Sequence, residues 1–155
     1  MDRKEIENAL GGSEFFKDMP EGVITKVAGL CRVENYENGE FVFQQGDYGE
    51  SLYIIAQGQV FLERETNLRE RKGNVVISNL GKGRILGCWS TLLGEPHILM
   101  SSAVCQKQTT AVAVKGADLR RMMEENRDIG FHVMERLCFI LRDRIQCAYG
   151  ALEKI

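Results

Sequence analysis

The spacing of hydrophobic residues divides this chain into three parts. Near the N-terminus, Val23, Val27 and Leu30 recur at steps of three and four, which is typical of one face of a helix. Over residues 32–115 the period falls to two, as in the alternating segment 110–114. Beyond residue 115 the helical period returns. The pattern predicts a helical N-terminus (1–31), a β region (32–115) and C-terminal helices (116–155), which together form one domain.

The β region consists of short apolar runs separated by turn signals. Dipeptides such as Asn38-Gly39, Gln57-Gly58 and Lys72-Gly73 favour tight turns, and they recur about every 8–12 residues. Such spacing is typical of an antiparallel sandwich or barrel. We therefore predict a jelly-roll-like β-roll in a mixed, mainly β fold, with the charged segment 63–72 forming a hairpin with a solvated tip.

The segment 86–104 interrupts this alternation. Gly87 is followed by a short apolar run, 89–93, that reads as one helical turn before Gly94 and Pro96 end it. The first amides of a helix have no partner inside it, and they can hold an anion. The amides of Cys88, Trp89 and Ser90 and the hydroxyls of Ser90, Ser101 and Ser102 are therefore candidate ligand contacts. For Trp89, the single tryptophan, packing in the core is the alternative.

The last helix, which we expect to begin near Ile129, carries a long apolar stripe. Its members recur at steps of three and four: Met134, Leu137, Leu141, Ile145, Ala148, Leu152 and Ile155. A helix of about 25 residues spans about 37 Å, which is longer than a small barrel is wide. We predict a homodimer through Leu137, Leu141, Ile145 and Leu152, with packing against the chain's own barrel as the alternative.

Composition narrows the possible partners. The chain has 22 acidic and 20 basic residues without a block of one charge, which argues against binding nucleic acid by bulk electrostatics. No apolar run approaches the roughly 20 residues of a membrane helix, and the charged N-terminus does not resemble a signal peptide. Five cysteines without metal-binding spacing fit free thiols. We expect a cytoplasmic protein that does not interact with membranes.

Glycine-punctuated motifs also carry a resemblance to a known family. The series Tyr36-x-x-Gly39-Glu40, Gln45-Gly46-Asp47 and Leu52-Tyr53-Ile54-Ile55-x-x-Gly58-x-Val60, followed by Gly87, resembles the cyclic nucleotide-binding domain. Within that family it is similar to the sensor half of bacterial regulators of the catabolite activator and FNR type. The resemblance implies a phosphate-binding cassette at 86–104 that holds a cyclic nucleotide or another small anion. It also implies a long helix that closes over the ligand, with Ala148 and Tyr149 near the base, and pairs with a second subunit.

The cassette departs from the family pattern at its two charged positions. The glutamate that follows the glycine, and binds the ribose, is replaced by Cys88. The arginine that binds the phosphate falls on Met100 when counted back from Val104, or near His97 when counted forward from Gly87. Neither residue is a permanent cation. Two interpretations remain open: a retained ligand site of altered specificity, and a degenerate pocket in a dimerising scaffold.

Other chemistries have weaker support. His97, Cys88 and His132 are candidate axial ligands for haem, and Cys88 is a candidate redox thiol. No nucleophile, base and orienting acid occur in a motif context, so we expect no enzymatic activity. The sequence ends at Ile155 without a helix-turn-helix, so we expect no direct DNA binding and a signal passed to a separate protein partner.

Overall fold

The computed structural model describes residues 1–68, 71–87, 89–95 and 97–154. Two helices, α1 and α2, precede the β region, and two more, α3 and α4, follow it. The helices are α1 (Arg3–Gly11), α2 (Glu21–Ala28), the 3-10 helix Trp89–Leu93, α3 (Gly116–Glu125) and α4 (Arg127–Leu152). The strands are β1 (Cys31–Tyr36), β2 (Phe41–Phe43), β3 (Tyr48–Gly49), β4 (Ser51–Gln57), β5 (Val60–Leu68), β6 (Arg71–Leu80), β7 (Ile85–Gly87), β8 (His97–Ile98), β9 (Ser102–Cys105) and β10 (Thr109–Lys115).

The strands form two four-stranded antiparallel sheets and one short ribbon. The first sheet has the order β1-β10-β4-β7, the second β2-β9-β5-β6, and β3 pairs with β8. Apart from the consecutive pair β5 and β6, neighbours in each sheet are distant in sequence, as expected for a roll closed by long connections. The predicted β-roll with flanking helices is confirmed, and so is the short helical turn at 89–93.

The structure corrects two predicted boundaries. A turn was expected at Lys72-Gly73, but both residues lie inside β6, where they pair with Asn67 and Thr66 of β5. The ladder of β5 extends far enough to keep this glycine in strand conformation, which is a case of tertiary pairing overriding a local signal. The last helix was expected to start near Ile129. It begins at Arg127, because the Asn126 side chain accepts hydrogen bonds from the amides of Asp128 and Ile129 and so caps it.

Hydrophobic side chains fill two separate regions on either side of the first sheet. On β4, Leu52 and Ile54 pack toward the helices, whereas Ile55 belongs to the barrel interior. The same alternation places Val112 of β10 with the helices, as a strand's side chains point alternately to the two faces of its sheet. The helix-side core also holds Phe16, which is fully buried. The barrel interior is the side from which the candidate site opens.

Candidate functional site

A cavity of about 320 Å³ lies between the barrel interior and α4. Four groups of residues line it. The barrel contributes Phe43, Leu62, Arg64, Ile77 and Leu86; the start of the cassette contributes Gly87, Trp89 and Ser90; its end contributes His97, Ile98, Leu99, Met100 and Ser101; and α4 contributes Leu141, Arg144, Ile145 and Ala148. A molecule in this cavity therefore contacts the cassette and the long helix together.

Gly87 fixes the start of the cassette against β4. Its φ of +131° is rarely adopted by residues with a side chain, and a Cβ there would lie 2.5 Å from the carbonyl oxygen of Ser51. Only glycine permits this approach. The chain can then turn out of β7 into the 3-10 helix.

The other side of the 3-10 helix is held by α3. The Arg120 guanidinium donates a hydrogen bond of 2.5 Å from Nη1 to the carbonyl oxygen of Leu92. A Cβ on Gly116 would lie 1.8 Å from Thr91 Oγ1, so the start of α3 also needs a glycine. The cassette is thus connected to the helices that follow the barrel as well as to the barrel itself.

Six of the eight predicted cassette residues line the cavity: Gly87, Trp89, Ser90, His97, Met100 and Ser101. Trp89 is partly buried and packs on Phe15 with ring centroids 6.1 Å apart, so its ring serves the core and the cavity together. Ser102 is not among the lining residues, because its Oγ accepts a hydrogen bond of 2.9 Å from the amide of Gln45. Cys88 lies outside the described residues.

The residues of α4 that were predicted to contact a ligand or a second subunit lie in different environments in the structure. Leu141, Ile145 and Ala148 line the cavity, whereas Tyr149 is 66% exposed and does not. Leu137 was predicted to lie on an exposed dimer seam, but it is buried in the helix-side core of its own chain. The apolar stripe on α4 is two residues wide, so its side chains point in more than one direction. Those on the side that faces the barrel pack against the chain's own core.

Sequence reasoning missed two arginines of the site. Arg64 was assigned to a solvated hairpin, yet it lies two residues after Leu62 on β5 and therefore on the same face. Arg144 lies three residues after Leu141 on α4, and so on the same helical face. These spacings were the signal that would have found both side chains.

Arg144 is held by a polar network behind the cavity. Its Nη2 donates to the carbonyl oxygen of Ile85 at 2.8 Å, and its Nε is buried without a hydrogen-bond partner among the described residues. Burial lowers the pKa of Arg144, and the Glu14 carboxylate acts in the opposite direction. Glu14 itself accepts from the Ile85 amide at 2.9 Å and pairs with Arg84 at 2.6 Å. The wall formed by α4 therefore brings a buried positive charge to the cavity.

Within the described parts of the chain, no group of three or more histidine, cysteine or acidic side chains is arranged to hold a metal ion. His132, one of the predicted haem ligands, is not among the lining residues, so the cavity does not bring it together with His97. The lining residues described also include no aspartate or glutamate. What the cavity offers is apolar walls, hydroxyl groups, the His97 imidazole and two guanidinium groups.

A β-roll whose cavity is bounded by a short helical cassette and a long C-terminal helix defines a class of regulatory ligand-binding modules. Residues 33–126 match the sequence profile of the cyclic nucleotide-binding domain. Because this match covers more than half of the chain, the chain belongs to the cyclic nucleotide-binding domain family. The resemblance inferred from the glycine pattern is confirmed.

Relatives by sequence are protein kinases. The chain is 29% identical over 84 residues to cGMP-dependent protein kinase 2 of Mus musculus, a match that covers 54% of this chain and 11% of the kinase. It is 29% identical over 111 residues to the cGMP-dependent protein kinase of Plasmodium berghei, covering 70% of this chain and 11% of that protein. The chain thus spans about a tenth of the length of these relatives and matches only a part of each.

Solved structures with a similar fold include a cyclic nucleotide-binding domain, a catabolite activator protein and a kinase regulatory subunit. A cyclic nucleotide-binding domain from Methylobacillus flagellatus superposes with a TM-score of 0.79 at 20% identity, covering 99% of this chain and 84% of that one. The catabolite activator protein of Thermus thermophilus gives 0.72 at 27% identity, with coverage of 91% and 62%. The regulatory subunit of a cAMP-independent protein kinase A from Trypanosoma brucei gives 0.69 at 20% identity, with coverage of 87% and 46%. Among the described helices, none has both the length and the apolar character needed to cross a bilayer.

Proposed function

We propose that this domain is a non-enzymatic sensor that binds a small anionic ligand in the barrel cavity and signals through α4 to a protein partner. The ligand specificity of the pocket is altered, so that cAMP and cGMP bind weakly. The observation that carries the proposal is the composition of the cavity wall, in which α4 and the cassette face the same space. The proposal requires a second position of α4, farther from the cassette. A ligand that contacts both elements binds the nearer position better, and such a differential affinity is the requirement for switching.

Arg144 supports the role of α4 as the moving part. Its single described hydrogen bond joins α4 to the backbone of β7 at Ile85, next to Gly87 of the cassette. An anion in the cavity competes for this guanidinium with the neutral carbonyl, and hydrogen bonds between ionised partners are the stronger ones. Ligand binding would then draw α4 toward the cassette.

Altered specificity is supported by the residues at the two charged positions of the cassette. Cys88 follows Gly87 in place of an acidic side chain, and Met100 is 63% exposed at the position counted for the arginine. The same fold occurs in the regulatory subunit of a cAMP-independent protein kinase A, which was solved with cAMP bound as a triple mutant, so the fold is found in a kinase that does not depend on cAMP. An arginine fork gives two charge-assisted hydrogen bonds of about 1.5–3 kcal/mol each. Their loss moves a micromolar affinity of about −8 kcal/mol toward the millimolar range near −4 kcal/mol.

Calorimetric titration with cAMP and cGMP tests this proposal. We expect weak binding by the wild type and a partial gain in the variant Cys88→Glu with Met100→Arg, limited by the length of the 94–100 loop. Movement of α4 is read separately, from the distance between spin labels on β6 and near residue 149, with and without nucleotide. Micromolar binding of either nucleotide by the wild type contradicts the altered specificity.

The second candidate function is a dimerising scaffold without a ligand. A specific observation favours a dimer: Phe131, Cys138, Ile145 and Leu152 are exposed at steps of seven on one face of α4. Steps of seven are typical of a coiled-coil seam, and a two-fold axis along α4 would cover this strip. The proposed seam omits Leu137, which the sequence analysis had included, and keeps Ile145 and Leu152.

The dimer is tested with Phe131→Glu and Leu152→Glu together. Both side chains are more than half exposed, so the monomer fold should be kept. Leu141 and Ile145 are left unchanged because they line the cavity. Light scattering should give a dimer for the wild type and a monomer for the variant, whereas Gln146→Glu, a further exposed position on α4, should not change the mass. A wild type that is monomeric at high micromolar concentration refutes the dimer.

A further inference from the structure

We propose that Arg64, a residue of β5 outside the cassette, is the anion-binding residue of this cavity. It would supply the positive charge that the cassette itself lacks, and the bound group would be an oxyanion on an otherwise apolar molecule. This inference rests on the proposed function, since it names the chemistry that the pocket recognises. The observation that supports it is the register of β5 and β9.

The register brings Arg64 to the end of the cassette. Strand β5 pairs antiparallel with β9, with Glu63 opposite Ser102. Arg64 follows Glu63 on β5 and Ser101 directly precedes β9, so the register continued by one residue brings Arg64 near Ser101. Arg64 confirms this proximity by donating a hydrogen bond of 2.7 Å from Nη1 to the carbonyl oxygen of Met100. Its guanidinium thus lies beside the backbone of Met100, the residue at the position counted for the family's arginine.

The charge of Arg64 is not neutralised by its described neighbours. Its two cross-strand neighbours are Val75 on β6 and, by the register, Ser101, and both are uncharged. None of the ion pairs between described residues includes it. A guanidinium has five N–H donors, and the hydrogen bond to Met100 uses one nitrogen. The remaining donors suit a phosphate or carboxylate group, which guanidinium binds in a bidentate manner.

The rest of the lining sets the class of ligand. Ser90 and Ser101 add hydroxyl groups, whereas Trp89, Ile98, Leu141 and Ile145 add apolar walls. With no described carboxylate facing the cavity, a sugar with several hydroxyl groups finds few acceptors there. A compact molecule with an aromatic or aliphatic body and one phosphate ester or carboxylate fits this lining better. Aryl anions are suitable probes because they carry both features.

Phenyl phosphate, benzoate and phenol test the inference. They share an aromatic ring, and only the first two carry a charge, one as a phosphate ester and the other as a carboxylate. Binding is followed through Trp89, the single tryptophan, whose ring lines the cavity. For the wild type we expect at least one of the two anions to bind about tenfold or more tightly than phenol, since one charge-assisted contact is worth about that factor.

In Arg64→Gln the ratio of the affinity for the anion to the affinity for phenol should fall to about one. Arg64→Lys should keep part of the preference for the anion. Arg64 is exposed, so these variants should retain the fold, which a thermal melt verifies. Arg121→Gln, at an exposed arginine of α3 outside the cavity, is the matched control and should keep the wild-type ratio.

The inference is overturned if the wild type does not prefer either anion to phenol, including the case in which none of the three binds. It is also overturned if Arg64→Gln keeps the preference while Arg144→Gln loses it, because the anion would then be held by α4. The outcome is separable from that of the proposed function. Tight cAMP binding together with an Arg64-dependent preference would refute the altered specificity and keep the role of Arg64.

Discussion

The two faces of the sheet β1-β10-β4-β7 are packed in different ways. On the helix side, Val112 and Val114 of β10 meet α-helical side chains, and that core is filled. On the barrel side the alternating residues are Ala111 and Ala113, which are buried but small. The barrel side also borders the cavity, whose walls include Phe43. The difference suggests that one face of the sheet provides stability while the other keeps room for a ligand.

The largest effect should come from truncating the filled side. Phe16→Ala should lower the free energy of unfolding by about 3–5 kcal/mol, because a fully buried aromatic ring is replaced by a cavity. Phe43→Ala should cost less, since one side of that ring already borders open space. Urea denaturation followed by far-UV circular dichroism measures both variants. An equal or larger loss for Phe43→Ala would show that the barrel side contributes as much stability as the helix side.

A smaller effect is expected where the cassette leaves the sheet. Gly87→Ala should lower the free energy of unfolding by about 1–3 kcal/mol through backbone strain. The contact of the new Cβ with the Ser51 carbonyl oxygen adds to this loss. Gly94→Ala is the matched control, because Gly94 also has a positive φ, +76°, but no atom lies within 4 Å of a Cβ there. Gly94→Ala should lower the free energy of unfolding by about 1 kcal/mol. Equal losses of unfolding free energy would mean that the close approach of β4 and β7 is not what requires Gly87.

Filling the cavity should change stability little and binding strongly. Ala148→Leu adds a side chain at the cavity wall, and such changes stabilise by about 0.5–2 kcal/mol when the space accepts them. Phenyl phosphate should then no longer change the fluorescence of Trp89. Gln146→Leu adds the same side chain on the exposed face of α4 and should leave the response unchanged. A retained response in Ala148→Leu would place the binding site elsewhere.

The smallest expected effect is a difference in reactivity between the cysteine thiols packed on the two sides of the sheet and those exposed on α4. Burial raises the pKa of Cys31 to about 12 and raises that of Cys105, so both remain protonated at neutral pH. Cys138 and Cys147 are exposed on α4. A thiol-specific alkylating reagent should therefore label Cys147 before Cys31 and Cys105, as peptide mass spectrometry can determine, whereas Cys138 should react quickly only if the proposed dimer seam does not cover it. Faster labelling of Cys105 would indicate that the barrel opens readily in solution.

Cys31 also gives a pH dependence of defined sign. Its pKa is higher in the folded than in the unfolded chain, where it is near 9.0. The stabilisation by the neutral, buried thiol is therefore complete below pH 9 and is lost as the pH rises from 9 toward 12. Cys31→Ala should flatten this part of the pH profile of unfolding. An unchanged slope in that variant would mean that other groups control stability in alkaline solution.

The sequence by itself determined the elements and the family of this protein. Periods of two and of three to four depend on local geometry, so they identified the β region, the 89–93 turn and the long helix. Glycines at fixed distances marked positions such as Gly58 and Gly87, where a positive φ and a close backbone approach exclude other residues. The periods and the positive φ depend on a few neighbouring residues, so a single sequence displays them directly, whereas the close approaches join Gly58 to Thr109 and Gly87 to Ser51.

The tertiary structure alone decided which charges reach the cavity. Arg64 and Met100 are 36 residues apart, and Arg144 and Ile85 are 59 apart, yet each pair is joined by a hydrogen bond. Leu137 and Ile145 share one sequence stripe, but the first is buried in the core and the second is half exposed. Strand register and the direction in which α4 packs set these outcomes. Local spacing indicates which face of its element each arginine shares, but what that face meets follows from the packing of the whole domain.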